Sequence, residues 1–356
     1  MTTHLPDAER GYLLLADITG YTDYLQGSEL EHAQDVLADL LETIIAGIEP
    51  PFVLSKLEGD AAFAYASADA MTGAMLLDAL ESTYFSFKRR LRDIRHATTC
   101  DCNACVLIPN LDLKFFAHEG RYVIRHIGRS EELTGSDVVL IHRLLKGTSG
   151  DAIGTGAYAV YTDAAMTALG MDPSVMGFLE HTEVLESVGD VDVHVQNLAE
   201  RWVFEQERNR VFVTKEAAQY EMITDSSAQP AVLWEWHTDP KRKMEWQEGL
   251  TSIGEDLDEG RRGIGAVSHC AHGPQVTLQK VVDWRPFTSF SIEHDIPGLP
   301  GILTTTTEFR PTESGTQIID RVSANPPELW PAIKEALLPQ LERNNAILES
   351  IIGTTE

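Results

Sequence analysis

The pattern of apolar residues changes character near residue 200, and that change calls for two separate cores. Before it, short apolar runs alternate with long amphipathic stretches. A strand from Gly11 reaches Asp17 and a glycine turn. Glu29–Ile48 then places Leu30, Ala33, Val36, Leu37, Leu40, Leu41, Ile44 and Ile48 at helical spacing, a helix closed by Pro50 and Pro51. Phe52–Leu57 and Ala61–Ala66 flank Glu58, Gly59 and Asp60 as a hairpin with an acid at its tip, and a second long helix covers about Ala68–Ile94. Strands at Leu111–Ala117 and Tyr122–Ile127, a helix at Asp137–Leu145, a strand at Ala157–Thr162 and a strand pair within His181–Leu198 complete this part. The hairpins exclude a purely parallel sheet, so the expected class is α+β.

After residue 200, five strands follow one another with turn residues between them, at Gly263–His272, Gln275–Trp284, Thr288–His294, Ile302–Arg310 and Thr316–Ser323. A short strand, Tyr220–Thr224, and a helix near Ala231–Trp236 that breaks at Asp239-Pro240 precede them. One long helix, Leu329–Ile352, follows, with Pro339 expected to bend it. The expected organisation is a first domain over residues 1–205, a linker over 206–217 and a second domain over 218–356.

Charge narrows the partners. Lys plus Arg number 28 against 55 Asp plus Glu, a formal net charge of −27, and both halves are acidic. Such a surface repels nucleic-acid phosphates and anionic lipid heads. The sequence contains no apolar run of membrane-spanning length and opens without a basic-then-apolar leader, so the expected location is cytoplasmic.

Chemistry on a nucleoside triphosphate needs divalent cations, and those need oxygen ligands on rigid elements. Asp17 and Asp60, each at a strand end, meet that requirement, although acids at strand ends are commonly solvated turn formers. Three ordered motifs carry more information. Ala16–Thr22 reads Ala-Asp-Ile-Thr-Gly-Tyr-Thr, Lys56–Asp60 reads Lys-Leu-Glu-Gly-Asp, and Gly135–Arg143 reads Gly-Ser-Asp-Val-Val-Leu-Ile-His-Arg. Over about residues 11–200 the chain resembles the catalytic domain of class III nucleotidyl cyclases. The resemblance implies a ferredoxin-like sheet with flanking helices. It implies Mg2+ or Mn2+ on Asp17 and Asp60, joined by the Ile18 carbonyl, with the triphosphate along Gly20, Tyr21 and Thr22. It also implies Lys56 and Glu132 at the base, which favours ATP, and Arg143 on the phosphates in the transition state. The implied reaction converts ATP to cyclic AMP and pyrophosphate in a site shared between two chains of a homodimer. The motif departs at Val139, where the family has the Asn that positions the ribose, and at Glu132, where it has Asp.

Cys100, Cys102 and Cys105 lie within six positions. Idle reduced thiols, a structural Zn2+ clip and a redox switch all suit that spacing, and a fourth zinc ligand would have to come from His96, His118 or the region of Cys270. Residues 218–353, with Trp234–Trp246, a glycine-rich turn, a strand meander and one long helix, resemble the START-like (SRPBCC) superfamily. The resemblance implies a helix-grip antiparallel sheet with an apolar cavity for a small molecule or lipid, lined by Trp234, Trp246, Trp284 and Phe290. Aromatic residues in a meander are also ordinary core.

Overall fold

Eight strands build the first sheet of the computed structural model, which describes residues 8–97, 103–127, 130–207, 210–257 and 260–352. They are β1 (Glu9–Thr19), β2 (Val53–Glu58), β3 (Ala61–Ser67), β4 (Asp112–Ile127), β5 (Ser130–Thr134), β6 (Tyr158–Thr162), β7 (Leu179–Leu185) and β8 (Gly189–Asn197). The order is β2-β3-β1-β4-β6-β8-β7, with β5 paired to β4 as a side ribbon. All pairings are antiparallel except β4 with β6. A central position explains why β1 reads as a continuous apolar run, with Leu13 to Ala16 fully buried. On one face of the sheet, Leu13, Leu15, Phe63 and Phe116 pack with Val138, Ile141 and Leu144 of the helix Ser136–Leu144.

The two strands expected at Leu111–Ala117 and Tyr122–Ile127 are one strand, β4. Gly120 looks like a break in the sequence but serves a close approach. A Cβ there would lie 2.6 Å from the Asp137 side chain, which accepts a hydrogen bond from the Arg121 amide at 2.6 Å. The helices Tyr21–Gly27, Asp163–Leu169 and Leu198–Glu207 and the strand β5 were not expected, being short elements with weak periodicity.

The backbone divides into two units, Met1–Arg208 and Asn209–Glu356. The second holds β9 (Tyr220–Ser226), β10 (Ser252–Asp256), β11 (Val267–His272), β12 (Gln275–Arg285), β13 (Ser289–Asp295), β14 (Ile302–Thr312) and β15 (Gly315–Asn325). These form one antiparallel sheet in the order β10-β11-β12-β13-β14-β15-β9. The helix Trp330–Ile352 contains Pro339 and packs through Leu348 and Ile352 against a cluster around Trp234, and through Leu337 and Leu341 near Leu303 and Val322. At Asp239-Pro240 the chain ends one helix, Pro230–Thr238, and starts another, Pro240–Trp246. Asp239 caps the second by accepting from the Lys241 and Arg242 amides at 2.8 and 3.2 Å. Both units combine helices and sheets, so the α+β class holds. Among the described residues no helix is long and apolar enough to cross a membrane.

Candidate functional site

Register brings the two acids together. Asp17 sits opposite Ala61 of β3 and Lys114 of β4, and the Ile18 amide donates to the Asp60 carbonyl at 3.3 Å. In an extended strand the N–H and C=O of one residue point the same way, so the Ile18 carbonyl also lies on the Asp60 side. Burial and then the charge of Asp17 push the Asp60 carboxyl above its usual range, against its own backbone hydrogen bond and Lys114. Lys114 places Nζ 3.0 Å from Asp17 Oδ2, with both side chains less than one-fifth exposed. The Tyr158 hydroxyl, pushed up to about 12 mainly by burial and next by Asp17, borders the same group.

Gly20 follows the acid-bearing strand in the left-handed region, φ 83°, and a Cβ there would come 2.7 Å from the Asn110 carbonyl oxygen. That conformation needs glycine and lets the chain turn sharply into Tyr21, Thr22 and the short helix they open.

A second cluster forms around Lys56. Its Nζ lies 2.8 Å from Glu132 Oε2 and 3.1 Å from Glu58 Oε1. The Glu132 hydrogen bond is the chief cause holding the ammonium above its usual range, although burial opposes it. His142 joins from the helix Ser136–Leu144, with Nε2 2.9 Å from Glu58 Oε2, Nδ1 2.6 Å from the Val138 carbonyl oxygen and its ring edge-on to Phe63. On the same helix Val139 is 53% exposed. Arg143 has its side chain 41% exposed and only a 4.0 Å approach to Glu186. Among the described residues Arg143 pairs with neither Asp17 nor Asp60.

Two carboxylates beside a strand carbonyl are hard oxygen donors of the kind Mg2+ or Mn2+ takes, and like charges crowded in a half-buried place are what such a cation relieves. Among the described residues no group of three or more His, Cys, Asp or Glu is gathered as a metal cage, so remaining ligands would come from a nucleotide and water. The acids therefore fit a divalent cation, with Lys114 already supplying one positive charge. Cys100 and Cys102 lie outside the described residues, and Cys105 is placed only as backbone of the helix Asn103–Leu107, so the zinc expectation falls there too.

The family description "Protein of unknown function (DUF2652)" matches residues 37–151, which hold Lys56, Asp60, Lys114, Glu132 and Arg143. The Mycobacterium tuberculosis H37Rv protein described as "Uncharacterized protein Rv2561/Rv2562" is 34% identical over 164 residues, covering 46% of this chain and 74% of that protein. This chain belongs to that protein's family. Among solved structures, a bacterial light-regulated adenylyl cyclase is 14% identical, with TM-score 0.43, covering 55% of this chain and 54% of that one. The chain thus spans about half of that cyclase's length. The adenylyl cyclase CyaB from P. aeruginosa is 14% identical, with TM-score 0.40, covering 54% of this chain and 96% of that one. The guanylyl cyclase Cya2 is 16% identical, with TM-score 0.39, covering 53% and 92%. Likeness at that level carries no chemistry across; the chemistry rests on Asp17, Asp60 and their neighbours.

Lys114 and Glu58 were missed in the sequence. Lys114 interrupts an otherwise apolar strand, but its partner emerges only once the β1–β4 register is known. In unit 2, Trp234, Trp246 and Phe290 pack with Phe309 as core, whereas Trp284 and Phe290 also reach a small pocket of mixed lining that includes Lys243, Glu255, Val281 and Ile292.

Proposed function

We propose that unit 1 is an adenylate cyclase-like signalling unit, a phosphorus–oxygen lyase that converts ATP to cyclic AMP and pyrophosphate between two chains of a homodimer. The observation that carries this reading is the convergence of Asp17 and Asp60 at the ends of adjacent strands. Asp17 and Asp60 would hold the divalent cation, with the Ile18 carbonyl beside them. When bound, Mg2+ or Mn2+ would neutralise the triphosphate and favour the ionised 3′-hydroxyl. Gly20, Tyr21 and Thr22 would lie along the phosphates. Lys56, fixed by Glu132 and Glu58, would donate to the adenine ring, and the exposed Arg143 would reach the phosphates of a nucleotide held by the second chain. The 3′-oxygen attacks the α-phosphorus as the bond to pyrophosphate breaks.

A second reading, a nucleotide-binding module without turnover, is favoured by one observation. Val139 is exposed where the resemblance calls for an amide that holds the ribose, and Val offers no hydrogen bond. Incubating the purified chain with ATP and Mg2+ or Mn2+ and separating the products by chromatography distinguishes the two. Cyclic AMP that disappears in Asp60→Ala supports the cyclase; ATP bound without product supports the module; no ATP binding removes both. For unit 2, the seven-stranded sheet against the helix Trp330–Ile352 supports a helix-grip, START-like reading. The mutual packing of Trp234, Trp246 and Phe290 does not itself call for a lipid.

A further inference from the structure

Register on β2 aims two charged side chains at one helix. Lys56 pairs with Phe63 and Glu58 with Ala61 across β2 and β3, so both charges share the sheet face on which Phe63 packs with the helix Ser136–Leu144. From that helix His142 sets its ring edge-on against Phe63 and brings Nε2 to 2.9 Å from Glu58 Oε2. Lys56 Nζ lies 3.1 Å from Glu58 Oε1 and 2.8 Å from Glu132 Oε2. Acid and base thus alternate through Glu132, Lys56, Glu58 and His142, each side chain 28–35% exposed and within reach of a ligand.

The two acids are held differently. Glu132 meets Lys56 through one oxygen, whereas Glu58 is held at both, Oε1 by Lys56 and Oε2 by His142. The Val138 carbonyl oxygen, 2.6 Å from His142 Nδ1, only accepts, which puts a proton on Nδ1 and turns Nε2 to Glu58. Whichever partner carries the proton between Nε2 and Oε2, that oxygen is engaged. Adenine and guanine present opposite patterns to such a row. Adenine offers an amino donor at C6 and an acceptor at N1, which suit Glu132 and the third N–H of the Lys56 ammonium. Guanine reverses both, so it needs Lys56 at O6 and an available carboxylate oxygen at N1–H. Glu58 is placed to supply one, and His142 is on it.

Resting on the cyclase-like reading of unit 1, we propose that His142 is a positioning residue that sets base specificity, engaging Glu58 so that the site takes adenine and turns guanine away. 3′-Deoxy-ATP and 3′-deoxy-GTP lack the attacking hydroxyl, so calorimetric titration of the full chain with each, in the presence of Mn2+, reads binding without turnover. Wild type should bind 3′-deoxy-ATP at least about ten-fold more tightly. His142→Leu keeps an apolar contact for Phe63 and should narrow that ratio at least about five-fold, through tighter binding of 3′-deoxy-GTP. Adding Glu58→Ala removes the acid that His142→Leu releases and should return the ratio to within about two-fold of wild type, a repair that a merely structural loss at His142 would not show. No adenine preference in wild type, an unchanged ratio in His142→Leu, or a narrowed ratio that persists in the double variant overturns the proposal alone. Binding of neither compound to wild type overturns the nucleotide reading of unit 1 and this proposal with it.

Discussion

Lys114 Nζ stands 3.0 Å from Asp17 Oδ2 across the β1–β4 pairing, so the acid expected to bind a metal already has a protein cation at hand. The pair is mostly buried, and breaking such a pair leaves an uncompensated charge. Lys114→Met should therefore lower stability in the absence of metal by about 1–3 kcal/mol, discounted from the fully buried case because both groups keep some solvent contact. The same substitution removes a competitor for the acids and should tighten Mn2+ binding at least about ten-fold by calorimetry. Unchanged Mn2+ affinity would show that Asp17 and Asp60 do not form a cation site.

Asp60 gives a stability signature with a definite sign. Its folded carboxyl is raised by burial and by Asp17, so the folded chain holds this proton more strongly than the unfolded one. The resulting stability is complete below the ordinary carboxylate range and is lost as pH rises through the folded value. Asp60→Asn mimics the protonated form. It should raise the melting temperature near pH 7.5 by about 2 °C without metal, with the gain shrinking as pH falls through the folded value and gone below the ordinary carboxylate range. A variant less stable than wild type at neutral pH contradicts this electrostatic account of the pair.

Val139 offers a gain-of-function test. The side chain is 53% exposed on the helix Ser136–Leu144, so Val139→Asn should cost little in packing. If the missing ribose contact limits turnover, the variant should form cyclic AMP up to about 100-fold faster than wild type, measured as product against time. An unchanged rate in a protein that does turn over ATP would mean another group already positions the ribose.

Much of the fold was legible because periodicity is a local property. The apolar run into Asp17, the hairpin around Asp60 and the meander after residue 263 all lie where expected. What escaped depends on register or close approach. Gly120 punctuates the sequence yet lies inside a continuous strand, because what it accommodates is a side chain from a helix many residues away. Lys114 is one charge among apolar neighbours until β4 is laid beside β1, and His142 reaches Glu58 only because its helix packs on the sheet face that carries Phe63. The aromatic residues of unit 2 were legible as a group, but the sequence could not separate those packed as core from those bordering a pocket.

One buried histidine, His237, and one half-buried histidine, His294, make unit 2 acid-sensitive. His237 and His294 are both pulled down to about 4 by burial, with the Leu233 carbonyl opposing the shift at His237 and Lys243 adding to it at both. From other elements, Thr305 bonds His294 Nε2 at 2.9 Å, and the rings of Trp246, Phe290 and Phe309 surround His237. A base whose folded value is depressed adds stability that is present above its unfolded value near 6.5 and lost as pH falls toward the folded one. Between pH ~6 and ~4, each histidine should steepen the loss of unfolding free energy by about 1 kcal/mol per pH unit. Urea melts followed by tryptophan fluorescence should show that slope reduced in His294→Gln, which keeps a polar partner for Thr305 but cannot take up the proton. An identical slope in the variant would place the acid sensitivity elsewhere.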